Sequence, residues 1–128
     1  MPVFVVRLGS PRLPGEGLRL GTVRFPPRGV SREARASGDW FDVWYPNLAP
    51  SAATLREFRQ HEGPAAWSRF GRRYRREMDT PDNRRTLELL AALSHHTAFA
   101  VGCYCADEAH CHRSLLRELL RDAGALLG

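Results

Sequence analysis

A chain of 128 residues suits one domain, with a core large enough to fold without disulfide staples. No apolar run approaches the roughly 20 residues of a membrane span. The three cysteines all lie between Cys103 and Cys111, an odd number that argues against a disulfide framework. The net charge of +5 suits an anionic partner, yet every Lys/Arg position is arginine, which reads as codon bias as much as selection for guanidinium chemistry.

The opening Met1-Pro-Val-Phe-Val-Val-Arg has neither a basic n-region nor a cleavage site, so a cytoplasmic protein with reduced thiols and no membrane contact is expected. Phe4–Leu8 is apolar and β-branched, the pattern of a buried strand. Gly9-Ser10-Pro11 and Pro14–Gly17 mark a loop. Leu18–Phe25 alternates apolar and polar residues and predicts a half-buried strand, ended by Pro26-Pro27. Residues 28–50 show no clean periodicity and read as a long functional loop.

Three helices are expected next. Ser51 caps the first, with Leu55 and Phe58 inward and Gly63 as its stop. Pro64 opens the second, which spaces Trp67, Phe70, Tyr74 and Met78 on one stripe. Thr80-Pro81-Asp82 starts the third, with Leu87, Leu90 and Ala91 inward. Ala98–Tyr104 is apolar throughout, as in a parallel strand buried on both faces. A last helix places Leu115, Leu116, Leu119 and Leu120 on one face and Arg113, Arg117 and Arg121 on the other, with Gly124 as its cap. The expectation is a single α/β domain, residues 1–128, with a small, mainly parallel sheet covered by helices.

Cys103, Cys105, His110, Cys111, His112 and Arg113 crowd the passage from this strand to the last helix. Ligands of open α/β sheets bind outside the carboxyl ends of strands, and a helix N-terminus favours anions and thiolates. Cys105 or Cys111 would then be a nucleophile or redox thiol, His112 an acid/base, and Arg113 a guanidinium anchor. The spacing differs from the Cys-x5-Arg loop of cysteine phosphatases, so no reaction follows from it. Cys103 alone reads as a small buried hydrophobe.

Two other functions compete. A zinc-type site could draw on Cys103, Cys105 and His110, Cys111 or His112, but donors packed within ten residues make tetrahedral closure cramped, and no metal or cofactor is expected. A non-catalytic module could bind nucleic acid or a protein through Arg69, Arg72, Arg73, Arg75 and Arg76, although these also suit a solvated helix face. His95-His96 reads as a charged helix end, and Asp39, Asp42 and Arg28 as possible pocket residues in the long loop.

Arg24-Phe-Pro-Pro-Arg28-Gly-Val-Ser31, Phe41-Asp-Val-Trp-Tyr-Pro-Asn-Leu-Ala-Pro-Ser51 and Cys103-Tyr-Cys-Ala-Asp-Glu-Ala-His-Cys-His-Arg113 together resemble the domain-of-unknown-function 488 family, which includes the bacterial YeaO-like proteins. The resemblance runs over nearly the whole chain. It implies a compact α/β domain that gathers Arg7, Arg24, Arg28, Cys105, Cys111, His112 and Arg113 into one pocket, and it brings no activity with it. YeaO-like members often read Asp-Arg where this chain has Val23-Arg24, so any role of that aspartate is absent here or moved to Asp39 or Asp42. The expected function is a pocket with Cys105, Cys111 and His112 as catalytic candidates and Arg7, Arg24, Arg28 and Arg113 as binding candidates. Its ligand would be a nucleotide, a piece of nucleic acid or another phosphorylated molecule; a homodimer is compatible with the sequence.

Overall fold

Strand β4 (Phe99–Cys103) is apolar at every position and buried at every position, which a strand achieves only inside a sheet covered on both faces. In the computed structural model, which describes residues 2–128, β4 lies between β1 (Val3–Arg7) and β2 (Leu18–Gly21). The two-residue β3 (Val43–Trp44) flanks β2, giving the order β1-β4-β2-β3. All pairings are parallel, with Val5 and Leu20 both in register with Val101. The protein is an α/β fold built on one parallel sheet.

Five helices accompany the sheet: α1 (Ala34–Ser37), α2 (Ala52–Arg59), α3 (Pro64–Met78), α4 (Pro81–Leu93) and α5 (His112–Asp122). Their starts follow the local chemistry. The Ser51 hydroxyl accepts the Thr54 N–H and the Thr80 hydroxyl accepts the Asn83 N–H, while Pro64 and Pro81 occupy first-turn positions whose N–H would be unpaired. Gly63 does not stop α2, which closes at Gln60; its positive φ makes it the entry to α3. Val3, Phe99 and Val101 meet Phe70 and Tyr74 of α3, Leu87 of α4 and Leu116 of α5 in the main core. Each such side chain contributes about 1.5–3 kcal/mol on burial.

Loops cover the other face, and glycine allows their approach. A Cβ on Gly102 would meet the Leu8 side chain at 2.6 Å and the Val6 carbonyl at 2.8 Å, and one on Gly21 would enter the Phe41 ring. The long segment 28–50 is not structureless: it holds α1, β3 and a 3-10 turn at Pro46–Leu48. The second strand ends at Gly21 rather than Phe25, because the chain leaves the ladder there. The Thr22 carbonyl then accepts from His112 and the Val23 carbonyl from Trp44 Nε1.

The alternation in β2 also misleads at Arg19, a polar position that is fully buried. Its guanidinium donates to Glu16 through Nε (2.7 Å) and Nη2 (2.8 Å), and through Nη1 to the carbonyls of Ser10 (2.9 Å) and Asp39 (2.7 Å). This pair ties the loops over the second face to the sheet. A buried ion pair loses most when one partner goes. Arg19→Leu is therefore expected to cost about 3–5 kcal/mol in urea unfolding, and Arg19→Leu/Glu16→Leu to cost less than that single change.

A second, half-buried carboxylate joins α2 to α3. Glu77 accepts from Ser51 N (2.9 Å), Ser51 Oγ (2.6 Å) and Thr54 Oγ1 (2.7 Å). Burial pushes its pKa up, but these donors outweigh burial and hold it below the ordinary 4.5. A carboxyl depressed on folding stabilises above its unfolded value and loses that contribution as pH falls through the folded one. The stability advantage of the native chain over Glu77→Gln should therefore be full near neutrality and shrink below about pH 4.5, measured by denaturant unfolding across pH.

Candidate functional site

The carboxyl ends of three strands converge. β1 finishes at Arg7, β2 runs out into Thr22–Arg24, and β4 finishes at Cys103. Beside these ends, with α2 and the start of α5, lies a cavity of about 1180 Å³. This is the place where parallel α/β sheets take ligands. Arg7, Arg24, Arg28, Cys105, Cys111 and His112 all line it.

Arg113 does not. It is only 3% exposed, so it belongs neither to the cavity lining nor to the outer face with Arg117 and Arg121. Its Nη2 donates to the Cys105 carbonyl at 2.6 Å, and its Nε has no hydrogen-bond partner among the described residues. From the first turn of α5 the side chain packs beneath the 103–111 loop, and its role there is to hold that loop.

The loop between Cys105 and Cys111 contains a 3-10 turn, Glu108–His110, in which Asp107 accepts the Ala109 N–H and pairs with His110. The turn folds Cys111 back over the end of β4. Cys103 Sγ and Cys105 Sγ are 3.8 Å apart, and Cys111 Sγ is 3.8 Å from His112 Nδ1. The donor atoms of Cys103, Cys111 and His112 all lie within 4.8 Å of one another. Cys103 is buried, as its apolar strand implies, but its sulfur belongs to this cluster. All three cysteines are free thiols.

His112 Nε2 lies 2.7 Å from the Thr22 carbonyl, which can only accept, so Nε2 donates and Nδ1 faces the cysteines. Hydrogen bonding from Cys103 and Cys111 pulls the Cys105 thiol down to about 3 against the opposing effect of burial, helped by the charges of Arg113 and Arg59. Cys111 is lowered chiefly by the Cys103 hydrogen bond, whereas Cys103, the donor, is raised. The cluster therefore favours negative charge at its exposed member, Cys105.

The walls are cationic and aromatic. Four arginines line the cavity and no carboxylate does. Arg24 is largely committed, donating to the carbonyls of Pro50 (3.0 Å) and Ala49 (3.1 Å), and Arg7 Nε reaches the Tyr104 carbonyl at 3.2 Å. Arg28 and Arg59 are exposed and make no side-chain hydrogen bond or ion pair among the described residues. Trp40 and Tyr104 meet edge to face at 5.9 Å, and Phe25 and Phe58 add further rings.

Sequence reasoning missed Arg59, Trp40 and the Thr22 carbonyl. Arg59 sits in the last turn of α2 and reads as a solvated helix face until the fold carries that turn to the cavity. Asp39 and Asp42 lie outside the lining: Arg12 pairs with both, at 3.4 and 2.8 Å, so neither replaces a pocket aspartate. On α3, Arg69 and Arg73 pair with Glu57 and Arg75 with Glu118, leaving Arg72 and Arg76 without ion pairs among the described residues. His95 Nε2 donates to the Gly124 carbonyl in the C-terminal segment at 2.8 Å.

Fold and site thus define a small parallel α/β protein with a Cys/His cluster set beside an arginine-lined cavity at its strand ends. A family model described as the Active DUF488-N3 subclade matches residues 3–124, and the chain belongs to the DUF488 family. No curated protein and no solved structure matches it.

Because Arg113 supports the loop from below, Arg113→Met should act on stability. Loss of a charge-assisted bond to the Cys105 carbonyl is expected to cost about 1.5–3 kcal/mol in denaturant unfolding. Unchanged stability would contradict the supporting role.

Proposed function

We propose that this protein binds a phosphate-bearing ligand of nucleotide type in the cavity, with the Cys103–His112 cluster beside it as the reacting group. The observation that carries the reading is the lining: four arginines, no carboxylate, and aromatic rings beside a cluster of two thiols and an imidazole, with the Cys105 thiol 3.8 Å from Cys103. A low-dielectric wall with one sign of charge concentrates anions, and unpaired guanidinium forks such as those of Arg28 and Arg59 match phosphate oxygens. Trp40 and Tyr104 offer a base its stacking surface. At about 1180 Å³ the cavity exceeds the roughly 300–1,000 Å³ of ordinary ligand pockets, so it has room for a nucleotide.

Within this reading Arg28 and Arg59 contact the phosphates, Arg7 and Arg24 shape the rim, and Cys105, Cys111 and His112 face the reacting part of the ligand. Binding through α3 is the weaker reading, because three of its five arginines already pair with Glu57 or Glu118.

Calorimetric titration with ADP and with pyrophosphate tests this. Binding should weaken as salt rises, and Arg28→Ala and Arg59→Ala should each lower affinity about tenfold, equivalent to roughly 1.4 kcal/mol. Arg72→Ala/Arg76→Ala should leave it unchanged. Absence of binding by either compound, or loss of affinity only in the α3 variant, would refute the reading.

A further inference from the structure

Two donor separations among Cys103, Cys105, Cys111 and His112 match the edges of a tetrahedron around a single metal ion, and Cys103, Cys111 and His112 lie close enough together to share one. With metal–sulfur bonds of about 2.3 Å and metal–nitrogen bonds of about 2.0 Å, tetrahedral geometry sets sulfur–sulfur edges near 3.8 Å and sulfur–nitrogen edges near 3.5 Å. The observed separations are 3.8 Å for Cys103–Cys105 and 3.8 Å for Cys111–His112 Nδ1, and the Cys103, Cys111 and His112 donors fall within 4.8 Å of one another. The sequence spacing makes such closure look cramped. The fold relieves it, because the chain turns at Glu108–His110 and the donors of Cys111 and His112 come within 4.8 Å of the Cys103 sulfur.

Two further features fit an ion. Metal-bound histidines donate their second nitrogen to a carbonyl or carboxylate, which fixes the ring, and His112 Nε2 already donates to Thr22 at 2.7 Å while Nδ1 faces the sulfurs. Arg113 is a buried cation with no acidic partner, its only hydrogen bond among the described residues going to the Cys105 carbonyl. Three thiolates and one imidazole around a divalent ion carry a net charge of −1, which supplies the counter-charge such a buried guanidinium lacks.

We infer that Cys103, Cys111 and His112 hold one thiophilic divalent ion of the zinc type, with Cys105 as the exposed fourth ligand. Sulfur-rich donors exclude magnesium and calcium, which require oxygen. Cys105 enters as the thiolate, the thiols that still carry protons release them to solvent as the ion binds, and no electron transfer is involved. Three buried ligands make the ion part of the fold, while the exposed Cys105 is the position that an incoming ligand could displace. The inference needs no occupant in the arginine cavity, so it stands or falls apart from the nucleotide reading.

The test is a titration of the reduced, chelator-stripped full chain with Co²⁺ and then Zn²⁺. One equivalent of Co²⁺ should give a near-ultraviolet thiolate charge-transfer band and the intense visible bands of tetrahedral cobalt, and Zn²⁺ should bleach them. The zinc dissociation constant should lie below about 1 μM. Cys111→Ser and His112→Ala should each weaken the ion by more than about 100-fold. The native spectrum decides the matter even if a variant fails to fold. Weak, octahedral cobalt bands without a thiolate transition, or no uptake of either ion, would overturn the inference.

Discussion

The hydrogen bond from His112 Nε2 to the Thr22 carbonyl, 2.7 Å long, joins the first residue of α5 to the chain just beyond β2. Both groups are buried, so leaving either unpaired would cost on the order of 1–3 kcal/mol. The bond sets three things together. It fixes the imidazole tautomer, it anchors the N-terminus of α5 over the strand ends, and it thereby holds Cys111 above Cys103. It also explains why β2 stops early, since the Thr22 carbonyl that would continue a ladder is spent on a side chain.

Around that bond the molecule is built asymmetrically. One face of the sheet packs on α3, α4 and α5 through a continuous apolar core, and the other is closed by loops held with the buried Glu16–Arg19 pair. The helical face supplies stability and a rigid strand frame. The cavity opens where the strands end and contiguous helical cover gives way to loops, α2 and the α5 terminus. A small apolar cluster of Leu8, Val23, Phe41, Cys103 and Cys111 seats Trp40 and Tyr104 there, and the arginines ring it from the open side.

Much of the fold is legible in the sequence because its signals are local. The unbroken apolar run Phe99–Cys103 announces a central strand, and Ser51, Pro64, Thr80 and Pro81 mark helix starts through hydrogen-bonding needs that arise within one turn. The Cys105, Cys111 and His112 part of the site is equally legible, since eight residues of chain bring these groups together. Arg59 and Trp40 are not, because only the path of α2 and of the 31–42 loop brings them to the strand ends. Arg19 and Arg113 mislead for one reason: a guanidinium reads as surface in any pattern of polarity, and burial depends on partners that lie elsewhere in the chain.

The central claim is that ligand chemistry belongs to the cavity at the strand ends and not to the arginine-bearing face of α3. It is tested most directly by following backbone amide signals in two-dimensional NMR while pyrophosphate is added to the full chain. The account predicts that shifts concentrate at Arg7, Arg24, Arg28, Arg59 and the Cys103–His112 segment, with Arg72 and Arg76 still. Shifts centred on Arg72 and Arg76, or none anywhere, would contradict it.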